Sequence, residues 1–321
     1  MKFGEKFNVY LQEEPAWSVD KQFVHIEYKR LKKVLKSCQR CKVSHTSYNS
    51  DFPEEQLCSC PLCDQMFFSE LMNEASAISG YFSARVRHLL RLHIAKGMQR
   101  YALCLRQCFK NDRQSLAQQG RMLIQYISMN AIAIRKILKK YDKKHSSARG
   151  KNFKARMQAA HTELLHSPWL IELGAFYENC NGPHGGCGQF SCDLNVTEAV
   201  MTLVLPDSIK IECDLTCAIC LDIVFNPYAL GCGHLFCKSC ACSAASVMIF
   251  QGLKAANPDS KCPICREVGV YSQAVHMLEL DLLLKRRCKE YWKMRLTDER
   301  AEMLKQSKEY WNLQTTYAIG M

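Results

Sequence analysis

CAIC at 217–220, CGHLFCKSC at 232–240 and CPIC at 262–265 gather metal-binding side chains into one short stretch. The donors are Cys217, Cys220, Cys232, His234, Cys237, Cys240, Cys262 and Cys265. Zinc binds thiolate and imidazole, and structural zinc sites are four-coordinate, so this set suits two tetrahedral Zn²⁺ ions. Each C-x2-C pair can bite one ion. A core that merely buried cysteines and histidines would have no reason to adopt these ligand spacings. A small module folded around two zincs is expected here.

Compartment decides how the remaining cysteines are read. The chain has 321 residues, 20 cysteines and a formal net charge of +12. MKFGEKFNVYLQEEP alternates charges without an apolar core, which excludes a signal peptide. Lys2 rather than glycine argues against myristoylation. No apolar run approaches the ~20 residues of a membrane span. The chain therefore reads as intracellular and soluble, in the cytoplasm or at the plasma-membrane periphery, with the nucleus left open. Thiols there stay reduced, so clustered cysteines indicate metal rather than disulfides. The positive charge favours an anionic partner such as nucleic acid, a phosphorylated metabolite or a membrane surface.

Residues 1–165 read as helical. Phe23, Val24, Leu31, Val34 and Leu35 share one helical face, with Tyr28, Lys32 and Lys36 expected opposite. A loop is expected over 43–63. A long helix follows from about Gln65 to Phe109, with a break near Asn111–Asp112, and another runs from about Arg113 to Lys144. Residues 166–212 read as a linker, glycine-rich at 179–192 (NCNGPHGGCGQFSC), with VMTLVLP and IKIEC as two short strands. The zinc module takes 213–270, and 271–321 reads as an amphipathic helical tail. On that tail Tyr291, Trp292, Tyr310 and Trp311 read as packing residues, and self-association through it stays open. Cys180, His184, Cys187 and Cys192 have an irregular spacing for a third zinc. Cys58, Cys60 and Cys63 read as free thiols.

RKILKKYDKK, residues 135–144, crowds like charges that repel by roughly 0.2–0.5 kcal/mol per i,i+4 pair. On a helical wheel Arg135, Lys136, Lys139, Lys140, Lys143 and Lys144 cover one half, and Ile134, Ile137, Leu138 and Tyr141 the other. Lys136 and Lys143 stand about 10 Å apart along the axis, wider than one phosphate. Charge alone leaves a solvated face, nucleic acid, membrane lipid and a multiply phosphorylated ligand all open.

The zinc-binding stretch resembles the RING family. That resemblance implies interleaved pairing: Cys217, Cys220, Cys237 and Cys240 on the first zinc, and Cys232, His234, Cys262 and Cys265 on the second. Both ions would be structural, with no open position, and no cysteine would act as a nucleophile. RING domains recruit a ubiquitin-conjugating enzyme charged with ubiquitin and hold its thioester ready for a substrate lysine. Ile219, Pro263 and Ile264 match the family's apolar shelf for the conjugating enzyme. Arg266 matches the position that bridges ubiquitin and that enzyme. Many RING domains carry a tryptophan before the seventh ligand; here Val247, Met248 or Phe250 stands in for it.

MKFGEKF at residue 1, EYKRLKK at 27–33, FFSELMNEASAIS at 67–79 and RKILKKYDKK together resemble the SPX domain. SPX domains are helical sensors of phosphate status that bind inositol polyphosphates and pyrophosphates. The resemblance assigns Tyr28, Lys32 and Lys140 to the phosphate-binding cluster, Lys136, Lys139 and Lys143 to the adjoining lysine cluster, and Lys2 to the amino-terminal edge of the site. SPX followed by RING is similar to the plant ubiquitin ligases of the nitrogen-limitation-adaptation type, a family associated with turnover of phosphate transporters at the plasma membrane. The expected architecture is an all-α SPX helical bundle or hairpin domain, a small zinc-stabilised α+β RING domain and a C-terminal helix. A homo-oligomer is left open, and no specific nucleic acid is expected. The rival is a polyphosphate- or nucleic-acid-binding zinc adaptor without ligase activity.

Overall fold

Residues 7, 24–36, 61–91, 110–143, 151–152, 155–156, 165, 167–181, 191–195, 197–205 and 209–319 are described by the computed structural model. The chain divides into two units, Met1–His166 and Ser167–Met321. The first is helical, with α1 (Tyr28–Lys36), α2 (Pro61–Arg91) and α3 (Lys110–Asp142) packed on one another. Pro61 sits at the opening of α2, where its missing N–H costs no helical hydrogen bond. Phe67, Leu71, Ala75, Ile78, Phe82, Val86 and Leu89 recur at helical spacing along α2, and all are buried. They meet Leu123, Ile127, Ala131, Ile134 and Ile137 in one apolar core that also takes Ile26, Leu31 and Leu35.

Polar groups inside this core find partners. The Tyr141 hydroxyl donates to the buried Asp64 carboxyl at 2.8 Å, with its ring stacked on Phe67 and edge-on to Phe68. Asn130 accepts the Ile26 N–H at 2.9 Å and donates to the Tyr126 carbonyl at 2.9 Å, tying the segment before α1 to α3. Glu74 accepts the Glu27 N–H at 3.0 Å, and Arg30 reaches Glu70 at 3.2 Å.

Two expectations are corrected in this unit. Tyr28 is not on the outer face of α1: it lies on the buried side with Leu31 and Leu35, while Lys29, Lys32 and Lys33 are exposed. An i, i+3, i+7 stripe satisfies the packing, and Tyr28 supplies its first member. No break falls at Asn111–Asp112, which sit in the first turn of α3. Lys2, Phe23, Lys144 and the 92–109 stretch lie outside the described residues.

The second unit opens with α4 (Pro168–Asn181), followed by an antiparallel sheet of β1 (Ser191–Asn195), β2 (Val200–Leu205) and β3 (Ile209–Asp214) in that order. A second antiparallel sheet orders β5 (Leu235–Cys237), β4 (Pro227–Ala229) and β6 (Val275–His276). α5 (Lys238–Ala244) follows β5; α6 (Leu278–Arg287) and the long α7 (Lys289–Ile319) close the chain.

The interval 166–212 is thus no mere linker, since it holds a helix and three strands. β2 and β3 pair from Val200–Asp214 to Leu205–Ile209, and the inward residues Met201, Leu203 and Leu205 are buried. Trp169, Leu170, Ile171, Leu173, Phe176 and Tyr177 are all buried, as expected of a helix apolar on every side. α4 also caps α6. The Glu172 carboxyl accepts the N–H groups of Glu279 at 2.7 Å and Leu280 at 3.1 Å, which are free donors of the first helical turn. Asn179 donates to the Glu279 carbonyl at 2.8 Å and carboxyl at 3.1 Å. Burial pushes Glu172 up to about 8, and the neighbouring Glu279 adds to the shift. Among the described residues, no helix is long and apolar enough to cross a membrane.

Candidate functional site

Two turns of the same design carry the first and last C-x2-C pairs, Cys217/Cys220 and Cys262/Cys265. In the first, the Cys217 N–H donates to the Asp222 carbonyl at 2.8 Å and the Leu221 N–H to the Cys217 carbonyl at 2.8 Å, with Thr216 bridged to Ile223. In the second, the Cys262 N–H donates to Glu267 at 2.9 Å and the Arg266 N–H to Cys262 at 3.0 Å, with Lys261 bridged to Val268. The residue directly after each pair is left-handed, Leu221 at φ 63° and Arg266 at φ 64°. Each turn curls its two sulfurs toward one point.

The β4–β5 hairpin supplies the middle ligands. Its loop closes through Gly233 N–H to the Leu230 carbonyl at 2.9 Å, with Gly233 at φ 91°, a conformation that glycine adopts without strain. That loop presents Cys232 and His234, and α5 presents Cys240 one turn beyond Cys237. The ligand atoms of Cys217, Cys220, Cys237 and Cys240 lie within 4.8 Å of one another, and so do those of Cys232, His234, Cys262 and Cys265. These are the two interleaved sets named above.

The donor distances test the fit to zinc. Bonds of about 2.3 Å to sulfur and 2.0–2.1 Å to nitrogen at tetrahedral angles imply S···S near ~3.8 Å and S···N near ~3.6 Å. Cys220 and Cys237 sulfurs stand 3.7 Å apart; His234 Nδ1 is 3.4 Å from Cys232 and 3.6 Å from Cys262. Both clusters can hold a zinc ion, which would supply folding energy rather than an open catalytic position. Hydrogen bonds from Cys237 and Cys240 pull Cys217 well below the ordinary thiol range, and the same contacts push the Cys237 and Cys240 thiols up.

Around the two turns, Ile219, Ile264 and Arg266 are exposed and Pro263 is half-buried. Leu221, at 76% exposure, and Val268 extend this apolar surface, and sequence reasoning missed both. Beside the expected stand-ins Ile249 is buried, while Phe250 is partly exposed and packs edge-on against Tyr310 of α7.

Sequence reasoning also missed Arg295. It reaches from α7 to the first cluster, pairing with Asp222 at 2.8 Å and donating toward the Cys220 and Cys237 sulfurs at 3.9 and 3.8 Å. Nothing local in the sequence marks it.

In the helical unit, α3 exposes Arg135, Lys136 and Lys139, with Lys143 exposed just past its end, and buries Ile134, Ile137, Leu138 and Tyr141. Lys140 Nζ stands 4.6 Å over the ring of Tyr28, and Lys32 is exposed on α1.

A module of two interleaved zinc-binding clusters is the mark of a RING-type zinc-finger, and residues 217–256 match that family. The chain is 59% identical to "Probable E3 ubiquitin-protein ligase BAH1-like" of Arabidopsis thaliana over the whole of both chains. It is 53% identical to "Probable E3 ubiquitin-protein ligase BAH1-like 1" of Oryza sativa subsp. japonica and 43% identical to "E3 ubiquitin-protein ligase NLA" of Arabidopsis thaliana, each again over the full length of both. No solved structure gives a significant match. The chain belongs to the plant family of RING-type E3 ubiquitin-protein ligases formed by the BAH1-like proteins and NLA. The adaptor reading without ligase activity therefore falls away.

Proposed function

We propose that this ligase senses phosphate status through its helical unit and directs ubiquitin to a membrane phosphate transporter. In this reading the helical unit is an SPX domain that binds inositol polyphosphates and pyrophosphates. The contact of Lys140 with the Tyr28 ring supports it most directly. An i,i+4 step puts Lys32 one turn from Tyr28 on α1, and Lys136 one turn from Lys140 on α3. Two basic rows thus flank one point of helix contact. Ammonium groups act there as point charges toward phosphate, and lysines 136, 139 and 143 extend the charge along α3 beyond the reach of one orthophosphate.

At the other unit, Ile219, Pro263 and Ile264 dock the charged conjugating enzyme, and Arg266 bridges it to ubiquitin. A guanidinium offers several fixed donors for carbonyls on two partners at once. The chemistry supplied is positioning of the thioester, not a covalent step.

Calorimetry on the full chain tests the sensor. Inositol hexakisphosphate should bind far more tightly than orthophosphate, and Lys140→Ala should weaken it roughly tenfold or more, the loss of one charge-assisted contact of about 1.5–3 kcal/mol. Equal binding of both anions would remove the sensor reading.

A further inference from the structure

α7 is more than a tail. One face of it, at four-residue steps from Tyr291 through Arg295 to Glu299, and on to Gln306 and Tyr310, lies along the zinc module. The Tyr291 hydroxyl donates to the Ile223 carbonyl, Asn226 donates to Glu299 at 2.8 Å, and the Ile249 N–H donates to Gln306 at 3.0 Å. Trp292 lies edge-on to Phe225, and Tyr310 to Phe250. In the middle of this face Arg295 is held by Asp222 at 2.8 Å, with its guanidinium 5.9 Å from the centroids of both Phe225 and Tyr291.

Charge explains why a guanidinium belongs at this spot. Four thiolates around one divalent ion leave two net negative charges, whereas three thiolates and a neutral imidazole leave one. Arg295 contacts sulfurs of the all-cysteine cluster, the more negative of the two. Its side chain is 17% exposed, so the charge acts with little screening by water. Arginine remains protonated throughout the working pH range and can donate to two sulfurs and a carboxylate together. Cys220 sits on the first turn and Cys237 on the hairpin end, so one side chain braces two separately supplied ligands.

We propose that Arg295 is a positioning residue of the all-cysteine zinc site, balancing its thiolate charge and locking α7 onto the ubiquitin-transfer module. This rests on the two-zinc reading of the clusters. Outer-shell partners of metal ligands commonly contribute 10–100-fold in metal affinity. The same order is expected here, confined to one of the two ions.

The test compares wild type, Arg295→Met and Arg295→Lys in the full chain. Methionine keeps most of the apolar stem and removes the charge and donors. Zinc release to a chelating dye gives the rates, and cadmium-113 resonances of the cadmium-loaded protein distinguish the all-sulfur site from the sulfur–nitrogen site. Arg295→Met should release one zinc roughly 10–100-fold faster and shift the all-sulfur resonance, leaving the other unmoved. Arg295→Lys, which keeps the charge but fewer donors, should fall between methionine and wild type. If the methionine variant does not fold, the lysine variant decides: faster loss of that zinc alone supports the proposal. Unchanged release, or equal acceleration of both ions, overturns it while leaving the two-zinc reading intact. A wild-type chain that binds no metal removes that reading and this inference together.

Discussion

Arg266 separates a backbone cost from a side-chain role. Its φ of 64° is left-handed, a region that costs an L-residue about 1–2 kcal/mol and glycine almost nothing. Glycine's greater freedom when unfolded returns about 0.5–1 kcal/mol of that. Arg266→Gly should therefore raise stability slightly, by up to about 1 kcal/mol, because the exposed side chain has little packing to lose. Arg266→Ala keeps the left-handed cost and should be neutral within about 0.5 kcal/mol. Both should slow discharge of ubiquitin from the charged conjugating enzyme by roughly 10–100-fold, the loss of charge-assisted contacts of about 1.5–3 kcal/mol. Leu221→Gly, at the matching position of the other turn with φ 63°, controls for the backbone and should gain comparable stability. Denaturant melts and single-turnover discharge to free lysine measure the two halves. A discharge rate unchanged in Arg266→Ala, or an Arg266→Gly variant destabilised by more than about 1 kcal/mol, would refute this reasoning.

Other expectations can be checked directly. Elemental analysis of the full chain should give two zincs, and Cys232→Ser should lose one. Ile219→Ala should weaken docking of the conjugating enzyme by at most about 1.5–3 kcal/mol of apolar burial, read as a higher concentration for half-maximal discharge. Glu172 is raised to about 8 when folded, against an unfolded carboxyl near about 4.3. The folded state holds the proton more tightly, so its contribution is fully present below the unfolded value and is lost as pH rises toward 8. Denaturant midpoints should fall across that window in wild type and fall less steeply in Glu172→Gln.

The zinc donors were legible because ligand spacing is local: each C-x2-C pair is one turn, and the turn's own hydrogen bonds aim the sulfurs. The basic face of α3 was legible because burial of Ile134, Ile137, Leu138 and Tyr141 follows from helical period alone. Tyr28 was misread because a short helix with many lysines offers two acceptable stripes, and only the packing partners choose between them. The interval 166–212 reads as a linker from its glycines at 179–192, but PWLIELGAFY within it forms a buried helix. That run has no polar face, and this was itself the signal of a buried helix. Arg295 could not be read at all. It touches Cys220 and Cys237 across 75 and 58 residues of sequence, and in α7 it is one arginine among many charges.

The most direct test couples the two units. Inositol pyrophosphate is titrated into a ubiquitination reaction containing the full chain, conjugating enzyme and a phosphate transporter in vesicles. The expected result is a transfer rate that changes with the titration, with its midpoint at the calorimetric dissociation constant, and a Lys136→Ala/Lys140→Ala variant that no longer responds. A rate that stays constant while the ligand saturates its site would contradict a phosphate-sensing ligase.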